Sequence, residues 1–263
     1  MSRTKTGKEG QKSMETCGYL MTGIDFNGKK QECVQGSREL IENGSMTRFD
    51  MAVMTAMYGL WKEKTERGYD TCSMTYQQIY RTMNGISGMR HVRSATTENM
   101  RRSVEKMSCA KICLETTDEE NLVSVIPCDE VYHGHNIAGI TLLQCPVLCR
   151  YAETAGHMKA VPGDLWSIKS GSGKQMCTLE RSIAFRDTLT ECVITKKCRN
   201  GKNFRIGLKE ITENAGIPFE NLERKRRQRD RELIRAILDH FVQTGYLKCF
   251  TINTEEKTVE FEV

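Results

Sequence analysis

The sequence predicts a helix-rich α+β fold in which one layout is used twice: a helix, a short helix closed by Gly, a longer helix, then a two-stranded hairpin. Three observations carry this. Residues 204–216 read FRIGLKEITENAG, an apolar helical stripe that stops at a glycine. Residues 221–245 keep helical spacing behind a strongly basic start, and residues 246–263 alternate as a hairpin. The chain from Thr47 to Ile126 repeats that order. Helix, helix, helix, hairpin is the plan of a winged helix, so the expectation is two winged-helix (helix-turn-helix plus β-hairpin) domains in tandem. The division expected is a mostly flexible basic tail over 1–44, a first domain over 45–135, a connecting segment over 136–176 and a second domain over 177–263.

The tail is rich in Lys, Gly, Ser, Thr and Gln, with a short strand expected at residues 19–24. Its early cations Arg3, Lys5 and Lys8 can solubilise it or touch phosphates. In the first unit Thr47 and Asp50 have capping-box spacing. Phe49, Val53, Met57 and Leu60 then recur at helical intervals, with Ala56 keeping that face slim, and the helix should end near Lys64. Thr75 and Gln78 form a second capping box before Ile79, Tyr80 and Met83, and Asn84-Gly85 stops that helix. After a loop at residues 86–93, Ser94 or Thr96 can cap a third helix whose apolar stripe is Met100, Val104 and Met107. Residues 110–115 and 122–126 are β-rich runs joined by the turn Thr117-Asp118-Glu119-Glu120-Asn121.

In the connecting segment residues 137–144 read as a strand, and Pro146 opens a helix through Leu148, Tyr151 and Ala152 that stops at Gly156. Residues 160–168 are short and mixed, and Ser170-Gly171-Ser172-Gly173 is the linker candidate. The second unit opens near Thr178, with Phe185, Leu189, Cys192 and Val193 on one face of a helix ending by Asn200-Gly201. A short strand is expected at residues 204–206. Leu208, Ile211 and Ala215 define the next helix and Gly216-Ile217-Pro218 its turn. Ile234, Ile237, Leu238 and Phe241 are the inner stripe of the third helix, which Gly245 ends. Val259, Phe261 and Val263 alternate with Glu260 and Glu262 in the last strand.

Composition narrows the function. A hydrophobic fraction of 38% and a charged fraction of 28% suit an ordinary globular protein. A net charge of +5 is mild, so its distribution matters more than its total. No apolar run reaches the length of a membrane span and the N-terminus lacks a signal-peptide core, so a cytoplasmic location is expected. Twelve cysteines are then free thiols in a reducing compartment. Cys109/Cys113 and Cys145/Cys149 are C-x3-C pairs, and Cys128 precedes His133 and His135. No C-x2-C pair occurs, and no metal site is expected.

DNA binding rests on the third helices. In the second unit Arg224, Arg227, Gln228 and Arg231 share one face, flanked by Lys225, Arg226 and Arg229. Arg can donate two hydrogen bonds to guanine and Gln can pair with adenine, while the other cations suit phosphates. In the first unit Asn99, Arg102, Ser103 and Lys106 share a face beside Arg101. The bland alternative is a solvated face balanced by Glu223, Asp230 and Glu232. Both expected wings are acidic, with Asp118, Glu119 and Glu120 in one and Glu255, Glu256, Glu260 and Glu262 in the other. Helices rather than wings should therefore make most contacts.

Catalytic signatures fail. Ser170-Gly171-Ser172-Gly173-Lys174-Gln175 lacks the first Gly and the final Ser or Thr of a phosphate loop. His133-Gly134-His135 is close to the His-hydrophobe-His metal motif of replication nickases, but its middle residue is Gly and no strand is expected before it. No catalytic residue and no cofactor is expected.

Arg48-Phe49-Asp50-Met51-Ala52-Val53, Thr75-Tyr76-Gln77-Gln78-Ile79-Tyr80-Arg81, Cys145-Pro146-Val147-Leu148-Cys149-Arg150-Tyr151-Ala152 and residues 231–247, ending in Gly245-Tyr246-Leu247, carry a resemblance. With them the chain resembles the tandem winged-helix replication initiators of plasmids and integrative elements in Gram-positive (Firmicutes) gut bacteria, over residues 45–263. The resemblance implies binding to repeated origin sites in double-stranded DNA, opening of the origin or recruitment of host replication proteins, and no chemistry of the protein's own. Host replication proteins and a second copy of the chain are further candidate partners; a membrane is not. The acidic wings and the many cysteines depart from the family pattern. A winged-helix transcriptional regulator is the alternative, a metal-dependent nicking enzyme built on His133 and His135 a second, and a protein-interaction module a third.

Overall fold

The computed structural model describes residues 17–22, 46–86, 92–116, 119–133, 136–168, 180–198, 203–217 and 224–262. It is an α+β, helix-rich fold with small antiparallel sheets. Helix α1 (Arg48–Thr65) begins at the expected capping box: the Asp50 N–H donates to Thr47 Oγ1 at 3.2 Å, and the Thr47 N–H donates to Asp50 Oδ2 at 2.7 Å. Strand β2 (Cys72–Thr75) leads into α2 (Tyr76–Met83), which Thr75 and Gln78 cap in the same way. Gly85, at φ 58°, ends that turn in the left-handed region, and a Cβ there would overlap the Gly163 carbonyl oxygen. Helix α3 (Ser94–Cys109) starts without a side-chain cap: Arg93 holds the N-cap position, and neither Ser94 nor Thr96 does.

The hairpin expected after α3 forms, but it stands apart from the sheet that contains β2. Strands β3 (Lys111–Thr116) and β4 (Glu119–Ser124) form a ribbon of their own, turning between Thr116 and Glu119. The sheet that includes β2 is completed instead by β5 (Cys128–His133) and β6 (Asn136–Leu142), in the order β2-β6-β5. The second unit repeats this arrangement with β8 (Asn203–Gly207), β9 (Cys249–Asn253) and β10 (Thr258–Glu262), in the order β8-β10-β9. In both, the strand before the second helix forms one edge and the return strand of the hairpin lies in the middle. The counterpart of β9–β10 is thus β5–β6, and the boundary expected at 135/136 cuts through it. A strand does precede His133, contrary to expectation. Gly139 permits the close approach of β2 and β6, because a Cβ there would overlap the Met74 carbonyl oxygen.

The strand expected near the N-terminus forms and finds its partner in the connecting segment. The N-terminal strand β1 (Cys17–Met21), two residues earlier than expected, pairs antiparallel with β7 (Met158–Pro162). Between them in sequence lie α4 (Val147–Thr154), which follows Pro146 as expected, and its Gly156 stop at φ 73°. Short helix α5 (Gly163–Trp166) follows β7. The second unit runs through α6 (Glu180–Cys198), β8, α7 (Leu208–Asn214), the Gly216 turn at φ 70°, α8 (Arg224–Gln243) and the Gly245 stop at φ 74°. Residues 1–16, the Ser170–Gly173 linker candidate, Asn200-Gly201, Pro218, Glu223 and His135 lie outside the described residues.

Two apolar clusters form the core. The first gathers Val53, Met54 and Met57 of α1 with Ile79, Met100, Met107, Ile140 and Leu148. The second gathers Phe185 and Leu189 of α6 with Ile211, Ile237, Phe241, Val259 and Phe261. The clusters are interlocked. Adjacent residues of a strand face opposite sides, so Leu20 of β1 enters the second cluster and Met21 the first, while Ile183 of α6 sits in the first. The first half of α1 is therefore buried all round, from Arg48 to Tyr58, which its single apolar stripe does not foretell.

Candidate nucleic-acid interface

Helix α8 carries seven cations against three carboxylates, and its first six residues, Arg224 to Arg229, are exposed. The helix is held by its opposite side. Asp230 is buried and receives two hydrogen bonds from Arg181 of α6, Nε to Oδ1 at 2.7 Å and Nη2 to Oδ2 at 2.5 Å. With Ile234, Ile237, Leu238 and Phe241 packed behind it, this pair fixes the rotation of α8. Of the residues expected to bind DNA, Arg224, Lys225, Arg227 and Gln228 are exposed together and Arg231 is half-buried. Gln228 donates to Glu232 at 2.9 Å, and Arg231 Nε approaches the Arg227 carbonyl at 3.4 Å.

Arg227 and Arg231 flank a groove of about 110 Å³ between α8, the start of α7 and the β9–β10 turn. Leu208 and Ile234 form its apolar floor, and Thr254 and Lys257 its far wall. Lys257 holds its position in the left-handed region at φ 53°, and its carbonyl accepts from the Leu208 N–H at 2.8 Å. Periodicity alone does not find Lys257, because only the pairing of β9 with β10 brings that turn beside α8. The hairpin is also less acidic in effect than in composition. Arg205 of β8 pairs with Glu256 and, at 3.4 Å, with Glu260; Lys248 pairs with Glu262 at 3.0 Å. Three of the four carboxylates expected to repel phosphates thus have cations beside them.

The first unit differs. Ser103, expected on the DNA face, is buried, and its hydroxyl donates to Asp50 at 2.6 Å. It supports α1 and is withdrawn from any surface contact. Lys106 reaches the same carboxylate at 2.5 Å. Arg101 pairs with Glu98 at 2.9 Å and Glu105 at 3.4 Å, and Arg102 pairs with Glu98 at 3.0 Å. The two guanidiniums pull the Glu98 carboxyl down to about 2. Asn99 is exposed on this helix, and Arg102 is 70% exposed. By strand register Ala138 of β6 stands in the first unit where Lys257 stands in the second, each one residue before the position paired with the last strand residue ahead of the next helix. Glu119 and Glu120, expected in the first wing, lie in β4 of the separate β3–β4 ribbon, and Asp118 lies outside the described residues.

Among the described residues no three His, Cys, Asp or Glu side chains converge as a metal site, and His135 lies outside them. Cys149 is buried in the first cluster, and Cys145 points its thiol at the Pro146 carbonyl. No helix among the described residues is long and apolar enough to cross a membrane. Comparison of the chain with protein-family models, with curated proteins and with solved structures finds no match in any of the three.

Proposed function

We propose that the chain is a sequence-specific double-stranded DNA-binding protein of tandem winged-helix type whose second unit makes the principal contact. The carrying observation is the exposed basic face of α8 with Arg227, Arg231 and Lys257 gathered around one groove. The shared sheet order, β2-β6-β5 and β8-β10-β9, supports the tandem reading. In this reading α8 enters the major groove, Arg224 and Gln228 face base edges, and the remaining cations neutralise phosphates. The paired charges on α3 favour a supporting or protein-contacting role for the first unit. Initiation of plasmid or mobile-element replication follows from the family resemblance; a transcriptional regulator would use the same surface.

Duplex fragments flanking the gene, titrated by fluorescence anisotropy at rising salt, test the reading. Binding should favour particular fragments over scrambled DNA. The log of affinity should fall with log salt at a slope of about −2.7 or steeper if three cations each neutralise a phosphate. No duplex binding at low salt, or equal binding to scrambled DNA, removes it. Direct repeats in the preferred fragment, with replication of a plasmid that carries it, favour the initiator; an inverted repeat with a promoter effect alone favours the regulator.

A further inference from the structure

The groove between α8 and the β9–β10 turn has a composition that a solvated helix face does not need. Its floor is apolar, from Leu208 and Ile234, and its rim carries Arg227, Arg231 and Lys257 with the Thr254 hydroxyl. Arg231 and Lys257 have no carboxylate partner among the described residues. Among the described residues the one carboxylate that lines the groove, Asp230, already accepts two hydrogen bonds from Arg181. Lys257 is exposed, and it stands across from the arginines because its backbone is tied to Leu208. Cations that converge on one concavity with their local carboxylates compensated make a site for a multiply hydrogen-bonding anion.

We propose that this groove is a phosphate site and that its occupant is a backbone phosphodiester of bound duplex DNA, clasped between Arg227 and Arg231 on one side and Lys257 and Thr254 on the other. The inference rests on the DNA-binding reading and deepens it: the hairpin of the second unit is a contact element in spite of its four glutamates. The matching place in the first unit has Ala138 where the second has Lys257, and is no such site.

The test compares Lys257→Gln with Lys248→Gln in the full chain. Both remove one positive charge from the same hairpin, but Lys248 lies at the end away from the turn, beside Glu262. Circular dichroism first establishes that both variants fold as the wild type does. Lys257→Gln should weaken binding to preferred and scrambled duplexes alike and make the salt slope shallower by about 0.9. Lys248→Gln should leave the slope where it was. Arg231→Gln should reproduce the Lys257→Gln effect. Equal slopes for the wild type and Lys257→Gln overturn the inference while leaving DNA binding intact, whereas loss of all duplex binding by the wild type removes the reading beneath it. Inorganic phosphate should compete with DNA no better than chloride at equal ionic strength. A phosphate-specific competition that Lys257→Gln abolishes would assign the groove to a free phosphate ligand and overturn the backbone assignment.

Discussion

Burial lifts the Cys128 and Cys145 thiols to about 11, with Asp129 and Glu130 adding to the first and Glu153 to the second. The thiolate is the nucleophile, so at pH 8 roughly one in a thousand of these groups is reactive, about two orders of magnitude below an ordinary thiol. Iodoacetamide at pH 8 should therefore modify the exposed Cys109 and Cys249 well before Cys128 and Cys145. The latter two should gain about tenfold in rate for each pH unit until pH nears 11, because a raised thiol pKa leaves the reactive form scarce below it. Peptide mass spectrometry over time measures this, and modification of Cys145 as fast as Cys249 would refute it. At this scale the sequence was informative wherever a residue followed a stripe: Leu148 and Val193 are buried where helical spacing puts them. It misled at Ser103, because only the fold brings the Asp50 carboxylate, 53 positions earlier, within its reach.

Asp50 shows how one element is secured from two directions. It closes the α1 capping box with Thr47 and also receives Ser103 and Lys106 from α3. Thr47→Ala removes the cap alone and should cost about 1 kcal/mol. Asp50→Ala removes the cap and also orphans the buried Ser103 hydroxyl, for a total of about 2–4 kcal/mol. Urea unfolding of the two variants measures the difference, and equal losses would mean that the α3 contacts contribute nothing. Both capping boxes, the Gly85, Gly156, Gly216 and Gly245 stops and the β9–β10 hairpin were legible because each depends on neighbours within a few residues. Strand β5 was not. Val131 and Tyr132 are both exposed, so the run from Cys128 to His133 lacks apolar alternation, and its strand conformation comes from pairing with β6. The β1–β7 pair joins residues more than a hundred positions apart, and no local pattern encodes it. For the candidate site, the basic face of α8 was legible in the same local way, whereas Lys257 and the neutralising roles of Arg205 and Asp50 needed the tertiary pairing.

The molecule as a whole is joined through the N-terminal end of α1. Arg48 is 5% exposed; its Nε donates to the Asn214 carbonyl at the end of α7 at 2.9 Å, and its Nη2 lies 2.9 Å from Glu191 of α6. Asp187 lies close by, its carboxyl pushed up by burial although Arg186 and Arg48 oppose the shift. Two positions along α1, Asp50 grips α3. The first turn of α1 thus bonds at Asp50 to the helix expected to face DNA in the first unit and at Arg48 to the helix that precedes α8 in the second. Arg48→Met keeps much of the side-chain volume but deletes both bonds. Because Glu191 is 19% exposed and can rehydrate in part, the expected loss is about 2–4 kcal/mol, near the lower edge of that for a fully buried pair. The interlocked clusters predict more than a lower midpoint. The wild type should unfold in one transition, since Leu20, Met21 and Ile183 tie each core to the other. Without Arg48 the second unit should separate from the first before either melts. Trp166 is buried in the second cluster and Trp61 is half-buried against the first, so a Trp61→Phe background makes fluorescence a reporter of the second core alone. In that background fluorescence and far-ultraviolet circular dichroism should give coincident urea curves with Arg48 present and divergent curves with Arg48→Met. Coincident curves at an unchanged midpoint would show that apolar interlocking alone holds the two units together and that Arg48 is dispensable.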